Sequence, residues 1–376
     1  MSEAAATLTR LLAECVRTDA SDLHLASGEP PYLRTHGILA PIPNHAKLPA
    51  AALDELANEL LLERPRQPLD EVGAMDGAFT AADGARFRFN VFRRQNQLAI
   101  ALRRLEDRFR TLKELGFPDS LYSLCDLTDG LVLVCGPTGA GKSTTLATLV
   151  DRINQSRRCH IVTIEDPIEY LHRPAMSLVN QRQVGSDTAS FNDALVASLR
   201  QDPDVILVGE IRDLSTIRTA ITAAETGHLV LTTVHAGDCV GAIERLVSVF
   251  PADEQPGVRR QLSLVLRAVI AQHLLVADGP ASHREGPIRR PRVVASEVLL
   301  ANAAIANLIA TAKSAQIYSS LETGSAQGMH TLEHDLARLW IAGHLTEQSA
   351  AALARNPAVM RDRAAMMRKE TGRRSP

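Results

Sequence analysis

The residues with the most specific chemistry form a glycine-rich run between a strand pattern and a helix pattern. The run GPTGAGKST matches G-x-x-x-x-G-K-[ST] in full and directly follows the apolar segment Leu131–Cys135. Glycines let backbone N–H groups turn inward around phosphate oxygens, and a helix that begins near Lys142 adds the positive end of its dipole. The pattern predicts a nucleotide-binding loop made of Gly136, Pro137, Thr138, Gly139, Ala140, Gly141, Lys142, Ser143 and Thr144.

Two side chains of this loop have separate tasks in phosphoryl transfer. The ammonium group of Lys142 is expected at the β- and γ-phosphates, and the hydroxyl of Ser143 at Mg²⁺. Kinases, GTPases and motors share such a loop, so the residues after it must indicate the reaction.

A buried strand that ends in a carboxylate follows the loop. The segment Asp204–Glu210 reads DVILVGE, where a Walker B element is expected. Because the strand ends in Gly-Glu, Glu210 can lie near the γ-phosphate as the base that orients or deprotonates water. The alternative is a glutamate that only begins the next helix.

Three carboxylates also lie close together in the stretch IEDPIE, at Glu165, Asp166 and Glu169. Acids this close repel one another unless a cation or an arginine neutralises some of them. Mg²⁺ at the adjoining nucleotide site is the simplest candidate. A solvent-exposed helix cap is the alternative for any one of the three.

Histidines flank a further strand pattern, GHLVLTTVH, with His228 before the apolar residues and His235 after them. The C-terminal edge of a parallel strand is where such sheets hold ligands, which favours a functional role at that edge. A structural histidine is the alternative at each position.

Arginines at alternating positions are candidates for the positive charge that phosphoryl transfer needs beside the γ-phosphate. Phosphoryl transfer spreads negative charge over the γ-phosphate, and ring ATPases commonly take an arginine from a neighbour. The candidates are Arg86, Arg88, Arg103 and Arg104, for which a solvated basic strand face is the alternative.

The elements that must position these residues fall into two predicted domains. Residues 1–105 read as a small mixed α/β domain, 106–118 as a linker, and 119–376 as a second domain that ends in helices. In the second domain, buried strands alternate with helical stretches, which indicates a parallel sheet with right-handed crossovers. The predicted strands are Leu131–Cys135, Ile161–Ile164, Val205–Val208 and Leu229–Thr233.

Composition excludes several classes of protein. A chain of 376 residues with 45% hydrophobic and 22% charged residues is typical of two globular domains, and a net charge of −2 argues against a dedicated nucleic-acid binder. The five cysteines form no C-x-x-C pair, so no zinc ribbon is predicted and a reducing cytoplasm is expected. The N-terminus lacks a signal-peptide pattern, and the apolar runs are too short to span a bilayer. The segment Asp278–Arg292 reads as an exposed loop, and the basic tail from Arg361 as a solvated end.

Taken in order, these motifs resemble the secretion-superfamily ATPases, and within them the pilus retraction branch. The resemblance runs nearly end to end and implies an N-terminal PAS-like domain followed by a RecA-like P-loop ATPase domain with a helical C-terminal region, an α/β fold class. The segments that carry it are Ala20–Pro31, Arg86–Asn90, Glu165–Tyr170, Asp202–Asp213, Thr226–His235, Gln316–Ser319 and Gly328–Leu332.

The resemblance also implies roles for individual residues. Glu210 would be the catalytic glutamate, Glu165 would polarise water or metal, and His228 and His235 would sense the γ-phosphate. Arg88 and Arg103 would reach the nucleotide from the N-terminal domain. The implied metal ligands are Ser143, Glu165 and Glu210.

Two departures from the family pattern bear on the branch. The segment after Ile270–Leu275 lacks the four-cysteine zinc insert of extension ATPases, which favours retraction. In contrast, Ala304–Thr311 reads AIANLIAT where the retraction branch has a stretch of the form AIRNLIRE. Both arginines and the glutamate are absent, which leaves an accessory role beside a second motor as an alternative to retraction.

The resulting prediction is an ATP- and Mg²⁺-dependent ATPase that works as a homohexamer and retracts a pilus. It would act at the cytoplasmic face of the inner membrane on a pilus platform protein, without nucleic acid and without membrane insertion. A paralogous pilus ATPase is a further candidate partner. The alternatives are an accessory or assembly ATPase of a pilus or type II secretion system, a DNA-translocating conjugation-type ATPase, and a regulator that binds nucleotide without hydrolysis.

Overall fold

The computed structural model describes residues 2–35, 38–61, 67–105, 108–278 and 292–372. The chain divides into two compact units, Met1–Asp107 and Arg108–Pro376, each with its own sheet. The predicted α/β class is confirmed. None of the helices within these ranges combines the length and apolar character that a bilayer crossing needs.

The first unit is a sheet covered by helices. Its elements are α1 Glu3–Arg17, β1 Asp22–Ala26, β2 Tyr32–Thr35, β3 Ile38–Pro41, α2 Ala50–Leu61, α3 Gln67–Glu71, β4 Ala74–Thr80, β5 Arg86–Arg94 and β6 Gln97–Arg104. Its described strands pair antiparallel in the order β3-β2-β1-β6-β5-β4.

Helix α1 shows why this unit folds. Ser2 caps the helix by accepting a hydrogen bond from the Ala5 backbone N–H. Leu8, Leu11 and Leu12 then recur at helical spacing and are buried in the core of the unit. Helix α1 is therefore amphipathic, with its apolar side in the core.

Strand β5 alternates as predicted. Phe87, Phe89 and Val91 are buried in the same core. Arg86 and Arg88 therefore project from the opposite face of the sheet.

The second unit is built on a larger sheet whose inner strands are buried on both faces. Its strands are β7 Gly130–Cys135, β8 His160–Glu165, β9 Leu178–Gln183, β10 Val205–Val208, β11 Leu229–Val234, β12 Leu266–Val276 and β13 Arg292–Leu300. The order among the described strands is β13-β12-β7-β11-β10-β8-β9. All neighbours are parallel except β12 and β13, so the predicted parallel sheet is confirmed and gains an antiparallel edge. Strands β9, β12 and β13 were not among the four predicted strands.

Helices cover both faces of this sheet, which places one apolar core on each side. They are α4 Leu112–Leu115, α5 Lys142–Ser156, α6 Phe191–Ser198, α7 Leu214–Glu225, α8 Cys239–Ser248, α9 Gln255–Val265, α10 Ala303–Ala310, α11 Ile317–Thr323, α12 Leu332–Ile341, α13 Glu347–Leu353 and α14 Pro357–Gly372. Short 3-10 helices lie at Asp119–Asp126, Ser314–Gln316 and Ser325–Gln327.

The segment predicted as a linker is packed over part of its length. Leu112 and Phe117 are buried in the core of the second unit, where they contact residues of the sheet and α5. The domain limits at 105 and 119 stay a prediction. Most of the predicted loop at Asp278–Arg292 lies outside the described residues. The prediction of a solvated end from Arg361 is wrong for the described part of that tail, because α14 continues to Gly372 and buries Ala364 in a core shared with α12.

Candidate active site

The glycine-rich loop follows β7 and leads into α5. Gly136, Gly139 and Gly141 have φ angles of 151°, 79° and 87°, a region that side chains rarely tolerate. A Cβ at Gly136 would also lie only 2.3 Å from the carbonyl oxygen of Gln272. The loop conformation therefore depends on glycine at these three positions.

Lys142 begins α5 and folds over the loop. Its Nζ donates hydrogen bonds to the carbonyl oxygens of Gly136 and Pro137, each at 3.0 Å. Partial burial lowers the pKa of this ammonium group, and the positive charge of Arg212 lowers it further. The lysine is held where the loop and the N-terminus of the helix converge, as a phosphate-binding group must be.

A cavity of about 570 Å³ opens above the loop. Because the inner strands are parallel, their carboxyl ends meet at one edge of the sheet, and the cavity lies there. Its lining combines residues of the loop with residues of the acidic and histidine segments. The lining residues are 138–144, Leu146, Ala147, Glu165, Asp166, Pro167, Glu169, Tyr170, His172, Phe191, Leu207, Gly209, Glu210, Arg212, Thr233, His235, Leu274 and Arg292.

Glu210 lies two residues beyond the end of β10 and faces this cavity. Its Oε2 pairs with the guanidinium of Arg212 at 2.6 Å and lies 3.7 Å from Nε2 of His235. Arg212 was not singled out from the sequence, although it stands in the same motif. Its part in the site follows only from the direction its side chain takes.

Glu165 is the last residue of β8, which lies next to β10 on the side away from β11. Its Oε1 accepts hydrogen bonds from the Thr163 hydroxyl at 2.6 Å and from Nε2 of Gln181 at 3.2 Å. Burial raises the pKa of this carboxyl group, and the two hydrogen bonds oppose that rise. The side chain is thus held in one orientation by its own strand and by β9.

The two histidines lie at opposite edges of the sheet. His235 follows β11 at the cavity edge. Burial, Lys142 and Arg212 lower the pKa of its imidazole, which favours the neutral form, and Glu210 opposes this shift. His228 precedes β11, and its Nδ1 contacts the carbonyl oxygen of Ala223 at 2.9 Å. A strand of six residues spans about 20 Å, so this chain does not bring His228 to its own nucleotide cavity.

Arg88 and Arg103 lie side by side in the first unit, where their backbones pair between β5 and β6. The Nε of Arg103 bonds Oδ1 of Asp22 at 2.8 Å, in register on the next strand. Asp22 is 6% exposed, so this ion pair also stabilises the unit that carries both arginines.

Tyr170 and His172 line the cavity, and Phe109 completes an aromatic group with them. The rings of Phe109 and His172 stack with centroids 4.6 Å apart, and Tyr170 lies 5.8 Å from Phe109. The Tyr170 hydroxyl is 2.8 Å from Oγ1 of Thr144, which ties the segment after β8 to the phosphate-binding loop. Sequence patterns gave no signal for this group.

The residues present fit a magnesium ion. The Ser143 hydroxyl and the carboxylates of Glu165 and Glu210 line the same cavity, and hard oxygen ligands are those that Mg²⁺ prefers. In the described part of the chain no three His, Cys, Asp or Glu side chains form a metal cluster of their own. This agrees with the usual binding of Mg²⁺ by a few protein ligands together with nucleotide phosphates.

Comparison with known proteins gives consistent results over most of the chain. The family model of the type II/IV secretion system protein matches residues 2–345. The chain is 42% identical over 350 residues to a Pseudomonas aeruginosa protein named type IV pilus retractation ATPase PilT, covering 93% of this chain and 98% of that protein. It is 36% identical to the type IV pilus ATPase PilU of the same organism, covering 91% and 87%.

A solved structure shares the fold as well. The crystal structure of the pilus retraction motor PilT with bound ADP superposes with a TM-score of 0.83 at 42% identity, over 93% of this chain and 98% of that one. A phosphate-binding loop on a buried parallel strand, with a Gly-Glu strand end across the same cavity, defines a P-loop ATPase that uses a nucleotide. With the family model matched over most of its length, the chain belongs to the type II/IV secretion system protein family.

Proposed function

We propose that this protein hydrolyses Mg²⁺-ATP and converts the energy into retraction of a type IV pilus. The observation that carries hydrolysis is the placement of Glu210 in the same cavity as the phosphate-binding loop. The pilus as the object of the work is supported by the likeness to the retraction ATPase over nearly the full length of both chains.

The chemistry is divided among residues of the cavity. Glu210 orients the attacking water and accepts its proton, which requires that the carboxylate leave its pair with Arg212. Lys142 and the loop N–H groups hold the phosphates. Ser143, Glu165 and Glu210 would hold Mg²⁺, which when bound would neutralise charge on the phosphate oxygens.

The remaining predicted residues act around this centre. His235, 3.7 Å from Glu210, senses the γ-phosphate end of the cavity. His228 stays a predicted sensor that the geometry of one chain does not support. Arg88 and Arg103 are proposed to reach the nucleotide from the N-terminal unit, so that turnover depends on how the units move in a ring.

The proposed assembly is a homohexamer at the cytoplasmic face of the inner membrane. In this proposal it works on a pilus platform protein without nucleic acid. A paralogue similar to PilU, to which this chain is 36% identical, is the proposed second motor. The ring explains why arginines of the N-terminal unit would matter to catalysis.

A second candidate, an accessory pilus ATPase, is favoured by one segment. The alanines Ala306 and Ala310 lie on α10 and are half-buried, and they stand where the retraction branch carries arginines. A motor that lacks these charges would hydrolyse ATP yet depend on a partner motor for retraction.

Glu210→Gln tests the hydrolysis step. The amide keeps the shape of the side chain but cannot accept a proton, so kcat should fall by about 10²- to 10⁴-fold while ADP affinity changes little. Glu225→Gln is the matched control, because Glu225 is an exposed glutamate on α7 that accepts a hydrogen bond from Nε2 of Gln261 at 3.1 Å. Normal turnover in Glu210→Gln would remove this residue from the mechanism.

The cellular role needs a separate measurement. Deletion of the gene should abolish twitching and leave surplus surface pili, and the Glu210→Gln variant should not restore movement. Loss of pili would instead indicate assembly, and normal twitching would indicate the accessory role.

A further inference from the structure

Gln272 contacts the phosphate-binding loop from a strand that lies outside the recognised nucleotide motifs. It lies on β12, which runs parallel to β7 and pairs Ala271 with Cys135, the last residue before the loop. The side chain is fully buried, at 0% exposure. A buried amide must have hydrogen-bond partners, so those partners are informative.

Both ends of the Gln272 amide bind the nucleotide loop and its helix. Nε2 donates to the carbonyl oxygen of Ala140 at 2.6 Å, and Oε1 accepts from the Thr145 hydroxyl at 2.9 Å. A carbonyl oxygen can only accept, which fixes the orientation of the amide. One side chain therefore joins the loop to the first turn of α5.

These two hydrogen bonds form a bridge from Ala140 through Gln272 to Thr145. The bridge sets the direction of a backbone N–H that can donate a hydrogen bond to a phosphate. The carbonyl of Ala140 and the N–H of Gly141 belong to the same peptide group. Because a peptide group is planar and trans, this N–H points in the direction opposite to the carbonyl. While Gln272 holds that carbonyl towards β12, the Gly141 N–H is directed away from β12. We propose that Gln272 is a positioning residue that presets this N–H for the nucleotide phosphates.

The glycines of the loop support the same inference. A Cβ at Gly136 would meet the Gln272 carbonyl oxygen at 2.3 Å, and a Cβ at Gly141 would lie 3.3 Å from Gln272 Nε2. Two glycines of the motif thus leave room for this residue. The loop and β12 are built as one unit, although more than 120 residues separate Thr145 from Gln272.

The experiment compares two variants at this position with a control. Gln272→Met fills the same space without either hydrogen bond, and Gln272→Glu keeps the acceptor for Thr145 but removes the donor to Ala140. Gln261→Met is the control, because Gln261 is exposed on α9 and donates to Glu225. Dissociation constants for ADP are measured by titration at a temperature at which circular dichroism shows every variant folded.

The expected result is a weaker affinity that does not depend on global unfolding. Loss of the two hydrogen bonds should raise the ADP dissociation constant and the KM for ATP by about tenfold in Gln272→Met, with a smaller change in kcat. The Gln261→Met control should bind as the wild type does. Wild-type ADP affinity in folded Gln272→Met would overturn the proposal, because a merely structural glutamine would lower only the melting temperature.

Thr145 provides an independent route if Gln272→Met does not fold. Thr145→Val should weaken ADP binding, and Thr145→Ser, which keeps the hydroxyl, should restore it. The effects of Thr145→Val and Gln272→Met should combine to less than their product, because both remove the same bridge. Independent, multiplicative losses would contradict the bridge.

Discussion

Arg355→Met removes the cationic partner of a buried carboxylate on β13. Glu297 lies on β13 with 1% exposure, and its Oε1 accepts the backbone N–H of Cys239 at 2.9 Å. Its Oε2 pairs with the guanidinium of Arg355, which also lies 3.6 Å from Oδ2 of Asp238. Methionine keeps the apolar stem but leaves the Glu297 charge without its counter-ion.

The magnitude follows from the burial of the two partners. Breaking a buried ion pair by removing one partner costs about 3–5 kcal/mol. Arg355 is 37% exposed, so water can partly replace it, and we expect a loss of about 3 kcal/mol in the free energy of unfolding. Arg361→Met is the control, because its pair with Glu347 is exposed on both sides, at 53% and 46%, and should contribute less than about 1 kcal/mol.

The single tryptophan makes the assay local. Trp340 lies on α12 and packs with the core formed by α12, α13 and α14. Its fluorescence during urea unfolding therefore reports on the C-terminal helices next to Arg355, while circular dichroism reports on the whole chain. A midpoint in Arg355→Met that matches the Arg361→Met control would refute the assignment of a stabilising pair.

The effect should depend on pH in a defined direction. Burial raises the pKa of Glu297 above the ordinary value of 4.5, and Arg355 opposes that rise, so the variant has the higher folded-state pKa. A carboxyl group whose pKa is raised in the folded state stabilises the folded state when it is protonated. That contribution to the free energy of unfolding is lost as pH rises through the folded-state pKa. The stability deficit should therefore be smallest near pH 4.5 and grow towards neutral pH, and a deficit independent of pH would contradict the argument.

Two further predictions concern the nucleotide site. Gly136→Ala should abolish ADP binding in a titration, because the added Cβ would lie 2.3 Å from a backbone oxygen. Gly257→Ala is the control and should bind ADP normally, because Gly257 faces open space on α9. Retained affinity in Gly136→Ala would show that the loop can shift. Arg88→Ala should lower ATP turnover of the assembled protein with ADP affinity unchanged, whereas Arg93→Ala on the same strand, which removes an exposed pair with Asp70, should not. Equal rates for the two arginine variants would remove Arg88 from the proposed mechanism.

The parts of the site that sequence could predict are those that depend on local order. The phosphate-binding loop and Glu210 each follow a buried apolar strand, and such patterns fix both the element and the edge of the sheet. The distinction between His228 and His235 was also available, since a strand of six residues separates its two ends by its own length.

The parts that sequence could not predict depend on long-range pairing and on side-chain direction. Gln272 reaches the phosphate-binding loop only because β12 lies beside β7. No periodic pattern of residues within one segment predicts that pairing. Strand β9 alternates weakly, with Val179 buried between exposed neighbours at the sheet edge, so its pattern resembles a loop. Arg212 was visible in the sequence, but its pairing with Glu210 depends on a rotamer.

The hairpin of β12 and β13 offers a place to attach a probe. The chain leaves the sheet after Val276 and returns at Arg292, while Gln272 pairs with Ser296 well inside the hairpin. Arg292 and Leu274 also line the nucleotide cavity. A fluorophore attached at Arg292, which is exposed at the start of β13 and lines the cavity, would leave Gln272 in place on β12 and lie beside the bound nucleotide. One labelled position could then report each cycle of binding and release in real time.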